Sequence, residues 1–115
     1  MAEIEIVADS ISIDQVTALA KESFGDMVKG VADVEKGIIA LGGELHADEE
    51  AILLDQGSNQ SDLWGFNIYV SEPRDSWIEF DSMINLRPAQ GNLSNSVENE
   101  EIQNKILVLV NKLIK

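Results

Sequence analysis

The sequence contains no cysteine, one histidine and only eight lysine and arginine residues in 115 positions. Without cysteine, disulfide scaffolds, thiolate zinc sites, iron–sulfur clusters and cysteine nucleophiles are excluded. A single histidine excludes metal sites that need two imidazole ligands from one chain. Because backbone binding to nucleic acid depends on Lys and Arg, the net charge of −13 indicates no nucleic-acid partner and no anionic membrane partner.

Long apolar runs are also missing. The longest is Ile106 to Val110, far short of the roughly 20 residues that span a bilayer. The N-terminal MAEIEIVAD carries acidic residues where an export signal would carry Lys or Arg, so we expect a cytoplasmic protein. With 44% apolar and 25% charged residues, the composition is typical of a globular protein, and the length predicts one domain over residues 1–115.

Three helices are predicted from capping residues and from apolar spacing. Ser12 followed by Gln15 forms a capping box at the start of the first helix. Apolar residues spaced by three and four predict a second helix from Met27 to about Leu41. Asn99 is the expected N-cap of the last helix. The apolar stripe of that helix comprises Ile102, Ile106, Leu109 and Leu113.

The strands are predicted from alternation. Glu3 to Val7 is predicted to be a short strand. Residues 44–54 fit both the spacing of a helix and the alternation of a strand, and we favour a strand there. Two further strands cover residues 63–70 and 78–87, and their matched faces place Phe66 opposite Phe80 and Tyr69 opposite Trp77. The expected fold is α+β: a largely antiparallel sheet of about four strands with about three helices on one face.

Polar residues of the last three predicted strands would share the sheet face turned away from the helices. Four of them are carboxylates, which suit Mg²⁺, Mn²⁺ or Ca²⁺ or an acid–base pair. A small divalent-metal-dependent hydrolase assisted by His46 is therefore the enzyme alternative. A face that is polar because it contacts water explains the same pattern, and we prefer that explanation. The face comprises His46, Asp48, Glu50, Asn67, Tyr69, Glu79, Asp81, Asn85 and Arg87, of which Asp48, Glu50, Glu79 and Asp81 are the metal candidates.

The segment from Asn85 to Ser94 is a second candidate site. Arg87 is one of two arginines, and the turn after it is rich in amide and hydroxyl groups, which together suit a small anionic ligand. In the alternative explanation Arg87 pairs with an acid such as Asp81 or Asp48, while Asn92 and Ser94 bond the turn.

The last helix carries more apolar surface than one face needs, because Leu107, Val110 and Ile114 add to its stripe. Core packing explains most of this surface, and a homodimer seam is the alternative for the remainder. The strongly acidic first half offers a further alternative, a basic protein partner.

Several segments in a fixed order carry a family resemblance: GGELHADEEAILL, DQGS, DLWGFNIY and FDSMINLRPAQGNLS, followed by an amphipathic helix. From about Phe24 to its C-terminus the chain resembles a family of short bacterial and archaeal proteins classed as a domain of unknown function. That resemblance implies no activity. We therefore expect a small soluble binding or interaction module with no evident cofactor, whose ligand-binding candidates are His46, Asp48, Asn67, Asn85, Arg87, Asn92 and Ser94.

Overall fold

The computed structural model describes residues 3–115 and confirms an α+β fold built on an antiparallel sheet. Within these residues the sheet has five strands rather than about four, in the order β1-β3-β2-β4-β5. The elements in chain order are β1 (Glu5–Val7), α1 (Ile13–Glu22), β2 (Met27–Asp33), β3 (Ile38–Leu41), α2 (His46–Asp55), β4 (Leu63–Tyr69), β5 (Ile78–Glu79) and α3 (Glu100–Leu113).

The first and last helices begin where their caps predict. The Ser12 hydroxyl accepts from the Gln15 backbone and the Gln15 side chain accepts from the Ser12 backbone, so the capping box is complete. The Asn99 side chain accepts from the Ile102 backbone at the start of α3. Within residues 3–115, no helix combines the length and the apolar character needed to cross a membrane.

The helix predicted from Met27 to Leu41 is wrong. This segment forms the hairpin of β2 and β3, in which Val31 lies opposite Ala40. Both faces of the hairpin are buried, so its apolar residues do not alternate with polar ones and their spacing mimics a helix. Gly30 is required in β2, because a Cβ there would come within 2.6 Å of the Phe66 ring on β4.

The strand predicted over residues 44–54 is also wrong, because His46–Asp55 forms α2. Its buried residues are His46, Glu49 and Leu53, spaced by three and four as one face of a helix requires. Leu45 and Ala47, two of the apolar residues that supported a strand, are exposed.

The strand predicted over residues 78–87 is only partly correct. The register is as expected, because Asn67 lies opposite Glu79 and the Tyr69 amide donates to the Trp77 carbonyl at 2.9 Å. The strand pairing ends at Glu79, however, and Met83–Asn85 forms a 3-10 turn capped by the Ser82 hydroxyl. The last part of this segment therefore folds over the sheet instead of extending it.

Helices cover both faces of the sheet. The larger core lies on the face that α1 and α3 cover, where Val28, Phe66 and Ile106 belong to one cluster. The opposite face is covered by α2, where Leu53 packs with Val31, Ala40 and Leu63 in a small second cluster. Helix α2, whose residues were predicted to form a strand, therefore covers the face of the sheet that was predicted to contact water.

Candidate functional site

A cleft of about 590 Å³ opens on the face of the sheet that α2 covers. It lies between the start of α2, the strands β2, β4 and β5, and the chain after β5. We call it the polar cleft. Its polar lining is Lys29, His46, Asn67, Tyr69, Glu79, Asp81, Ser82 and Asn95, and its apolar lining is Met27, Leu45, Ala47, Met83 and Ile84.

His46 is the first residue of α2 and is 8% exposed. Its Nε2 lies 2.9 Å from the Phe66 carbonyl oxygen. A carbonyl can only accept, so this ring nitrogen carries the hydrogen and Nδ1 is left as an acceptor. Burial lowers the pKa of His46, and the nearby Lys29 ammonium lowers it further, although the Phe66 hydrogen bond and the Asn67 side chain oppose the shift. The ring is therefore neutral at pH 7.

Asn67 and Glu79 form the floor of the polar cleft, side by side on β4 and β5. The Asn67 amide nitrogen donates to Glu79 Oε1 at 2.9 Å and to the Asp81 carbonyl at 3.2 Å. The Tyr69 hydroxyl donates to the same Glu79 oxygen at 3.0 Å. Burial, followed by this bond to Glu79, raises the pKa of Tyr69. The floor is thus held by hydrogen bonds within the protein itself.

The other amide atom of Asn67, its Oδ1, is buried near the His46 ring and makes no hydrogen bond of ordinary geometry with any group of residues 3–115. Its orientation is fixed, because turning the amide over would place this oxygen against the Glu79 carboxylate. Buried polar atoms are almost always partnered, so an orphan in a cleft requires an explanation. A donor supplied by a bound molecule would provide the missing partner.

Glu49 lies behind the polar cleft, one helical turn after His46, and is completely buried. Its Oε2 accepts from the Gly43 backbone at 3.0 Å, while Oε1 has no hydrogen-bond partner in the part of the chain that the structure describes. Burial raises its pKa to about 9, although the Gly43 bond and the Lys29 charge oppose the shift. Glu49 is therefore protonated at neutral pH. Gly43 has to be glycine, because a Cβ would come within 2.9 Å of the Glu49 side chain.

The four carboxylates predicted as metal candidates do not come together. Glu79 and Asp81 line the polar cleft, whereas Asp48 and Glu50 project from α2 outside it. Side chains two residues apart on a helix, such as Asp48 and Glu50, point to nearly opposite sides. The shared face that a strand would have given them therefore does not form. Across residues 3–115 the structure groups no three His, Asp or Glu side chains that could hold a metal ion.

The Asn85 to Ser94 segment holds its polar side chains inward. Asn85 is fully buried and both donates to and accepts from the Gly65 backbone, at 2.9 and 2.8 Å. Asn92 donates to the carbonyls of Asn85, Ser94 and Ser96. The Ser94 hydroxyl accepts from the Ser96 backbone, as the turn-bonding alternative expects. These residues brace the segment, and Asn85 and Asn92 lie outside the polar cleft.

Arg87 also braces this segment. Its guanidinium stacks on the Trp64 ring at 4.1 Å and donates to the backbone carbonyls of Gln60 and Leu63 and to the Gln90 side chain. Burial lowers its pKa, which the Glu50 charge partly offsets. Both terminal nitrogens of the fork are engaged by neutral oxygens, so neither the anion site nor the ion pair with Asp81 or Asp48 describes this arginine.

Sequence reasoning identified His46, Asn67, Tyr69, Glu79 and Asp81, and missed Lys29 and Glu49. Lys29 was hidden by the wrong helix over residues 27–41. Glu49 occupied the apolar row of the strand predicted over residues 44–54, and a carboxylate in an apolar row was a signal of either a wrong period or a buried acid.

Comparison with known proteins adds a family. Residues 5–113 match the model of a family described as a protein of unknown function (DUF5674). No curated protein and no solved structure matches the chain significantly.

Proposed function

The chain belongs to this family of unknown function, as its motifs predict, and we propose from the polar cleft that it binds a small molecule bearing an ammonium or hydroxyl donor. The unpartnered Oδ1 of Asn67 is the observation that carries this proposal. We infer from the sequence that this binding takes place in the cytoplasm.

The size and the rim of the polar cleft support a small ligand. Its volume of about 590 Å³ lies within the range of roughly 300 to 1,000 Å³ typical of small-molecule pockets. Such pockets combine an apolar lining with a few converging polar groups. Here Met83, 83% exposed, and Leu45, 56% exposed, form a rim that a ligand would cover.

The polar groups that converge in the cleft are mostly acceptors. Asn67 offers its free oxygen, Glu79 and Asp81 offer carboxylates, and the neutral His46 ring offers Nδ1. Among residues 3–115, Lys29 is the one cationic residue of the lining, and its ammonium lies 5.1 Å from the centre of the Phe24 ring. A ligand with donors suits this set, and an anion would face two carboxylates against one ammonium.

The test uses three probes that share one ring and differ in charge: benzylamine, benzyl alcohol and benzoate. Each is titrated into ¹⁵N-labelled protein, with shifts followed at the Asn67 side-chain amide and at the first turn of α2. We expect benzylamine to bind tightest and benzoate weakest. A charge-assisted hydrogen bond adds about 1.4 kcal/mol or more over a neutral one, which corresponds to about tenfold in affinity.

The matched variants are Glu79→Gln, inside the cleft, and Glu35→Gln, on the exposed hairpin turn. Glu79→Gln should weaken benzylamine about tenfold and leave benzyl alcohol within about twofold. Glu35→Gln should change neither. Equal binding of all three probes, or shifts that bypass Asn67, would count against the proposal.

A further inference from the structure

The outward side of α3 exposes apolar residues that the core does not use. Val108 is 69% exposed and Leu107 is 36% exposed, whereas Leu109 and Val110 beside them are buried. Of the three residues that the sequence adds to the stripe, Val110 and Ile114 belong to the core and Leu107 stays exposed, and the most exposed apolar residue, Val108, was not among them. This surface lies across the sheet from the polar cleft.

A groove of about 390 Å³ runs along this helix beside the turn of the β2–β3 hairpin. Its floor is formed by Val34, Gly37, Val108 and Leu109. Gly37 has φ +72° and no side chain, so it leaves the hairpin side of the groove open. Lys105 and Lys112 border the groove along α3, seven residues and about 10 Å apart along the helix axis. No acidic side chain of residues 3–115 lines it.

The positive border is unusual because the protein is so acidic. The chain has eight cationic residues and a net charge of −13, yet two of its lysines flank this one apolar groove. Glu100 and Glu101 lie at the N-terminal end of α3 and are not part of the lining. Complementary charge around an apolar contact favours a partner of opposite sign.

We propose that this groove docks an acidic segment of a partner protein, with one aliphatic side chain over Val108 and a carboxylate near each lysine. A second copy of the chain packed α3 to α3 about a two-fold axis would bring these lysines toward their own copies, and like charges oppose that contact. An acidic segment with an aliphatic side chain complements both the apolar floor and the charges of Lys105 and Lys112.

The experiment measures the binding of two helical peptides by isothermal titration calorimetry. Both peptides carry the same central leucine pair; one has glutamates three residues before and four residues after the first leucine, and the other has lysines there. We expect the acidic peptide to bind at least about tenfold more tightly, with an affinity that falls as salt rises.

The double variant Lys105→Glu/Lys112→Glu should lose at least about tenfold in affinity for the acidic peptide. The double variant Lys21→Glu/Lys36→Glu, which makes the same charge change at exposed positions outside the groove, is the matched control and should bind normally. Circular dichroism of both variants checks that they are folded. Val108→Asp should also lose the peptide.

Two results would overturn the proposal. Equal affinity for the two peptides would show that charge does not select the occupant. Sedimentation that reveals a dimer disrupted by Val108→Asp would show that a second copy covers the groove. Either result leaves the polar cleft unaffected, because none of these residues lines it.

Discussion

The two faces of the sheet are built from different chemistry. Counted over residues 3–115, the buried cluster toward α1 and α3 contains 19 apolar residues, whereas the cluster toward α2 contains four. The face under α2 instead buries polar side chains, including His46, Glu49, Asn67 and Asn85. Apolar burial stabilises without direction, while a buried polar group has to find a partner at a fixed distance. The first face therefore supplies most of the apolar burial, and the second can specify a site.

The polar face itself contains two kinds of asparagine. Asn85 satisfies its side chain entirely within the protein, by bonding Gly65 and Asn95. Asn67 satisfies its amide nitrogen but leaves its oxygen free in the polar cleft. Burial alone does not separate a structural polar residue from a functional one. These two asparagines differ in whether every polar atom of the side chain is bonded within the protein.

The largest expected effect tests the apolar face. Phe66→Ala should lower the unfolding free energy by about 4 kcal/mol, because Phe66 is fully buried and its ring fills the space beside Gly30. Met83→Ala, which removes a large but exposed side chain from the polar face, should stay within about 0.5 kcal/mol. Urea denaturation measures both. A similar cost at the two positions would remove the distinction between the faces.

The next largest effect concerns the structural asparagine. Asn85→Ala should cost about 3 kcal/mol, since it leaves the Gly65 N–H and C=O groups buried without their partners. Asn104→Ala, at an exposed position on α3, should change stability by less than about 0.5 kcal/mol. The same urea experiment applies, and a loss below about 1 kcal/mol at Asn85 would contradict the bracing role.

The third prediction concerns pH. Glu49 has its pKa raised to about 9 in the folded protein, so the folded state keeps a proton that the unfolded chain releases above about pH 4.5. Its contribution to stability is therefore present at low pH and lost as pH rises toward 9. The expected slope is about 1.4 kcal/mol per pH unit. The lowered pKa of His46 has the opposite effect on stability, and that effect falls below its ordinary pKa of 6.5. The change in stability between pH 7 and pH 8.5 therefore reports on Glu49.

Glu49→Gln keeps an acceptor for the Gly43 N–H and has no proton to lose. The variant should be more stable than the natural protein at pH 8.5 and should lose the slope above pH 7. Glu35→Gln, at an exposed position, should keep the slope. Thermal unfolding across this range gives the comparison, and an unchanged slope in Glu49→Gln would place the pH dependence elsewhere.

Local signals in the sequence predicted the elements that local interactions determine. The caps at Ser12 and Asn99 fixed the starts of α1 and α3, and strict alternation fixed β4. The register of β4 against β5 also followed from matching their faces. These features depend on neighbours within a few residues, or on one strand pair.

The remaining elements depend on what covers them. The β2–β3 hairpin was misassigned because both of its faces are buried, which removes the alternation that identifies a strand. The end of the segment over residues 78–87 was misassigned because the Asn85 side chain, and not the backbone of a paired strand, bonds the N–H and C=O groups of Gly65. The sequence pattern of one segment shows neither that a helix covers its second face nor that a side chain such as Asn85 takes the hydrogen bonds of a neighbouring strand.

The sequence identified polar residues correctly but did not separate those that line the polar cleft from those that stabilise a turn. His46, Asn67 and Glu79 were identified as members of a polar face, and all three line the polar cleft. Arg87 and Asn92 were selected for the same polarity, yet they hold a turn. Residue type shows where hydrogen bonds are made, but only the three-dimensional partners show which donors and acceptors stay free for a ligand.

The most direct test of the functional claim is to measure stability and benzylamine affinity on one variant, Asn67→Leu. Leucine removes the free oxygen and the amide donor. The Glu79 carboxylate and the Asp81 carbonyl that accepted from this amide belong to exposed residues and can bind water instead, so we expect stability to change by less than about 1 kcal/mol. Benzylamine affinity should fall at least about tenfold. A variant that loses several kcal/mol of stability while binding benzylamine normally would show that Asn67 serves the fold and not a ligand.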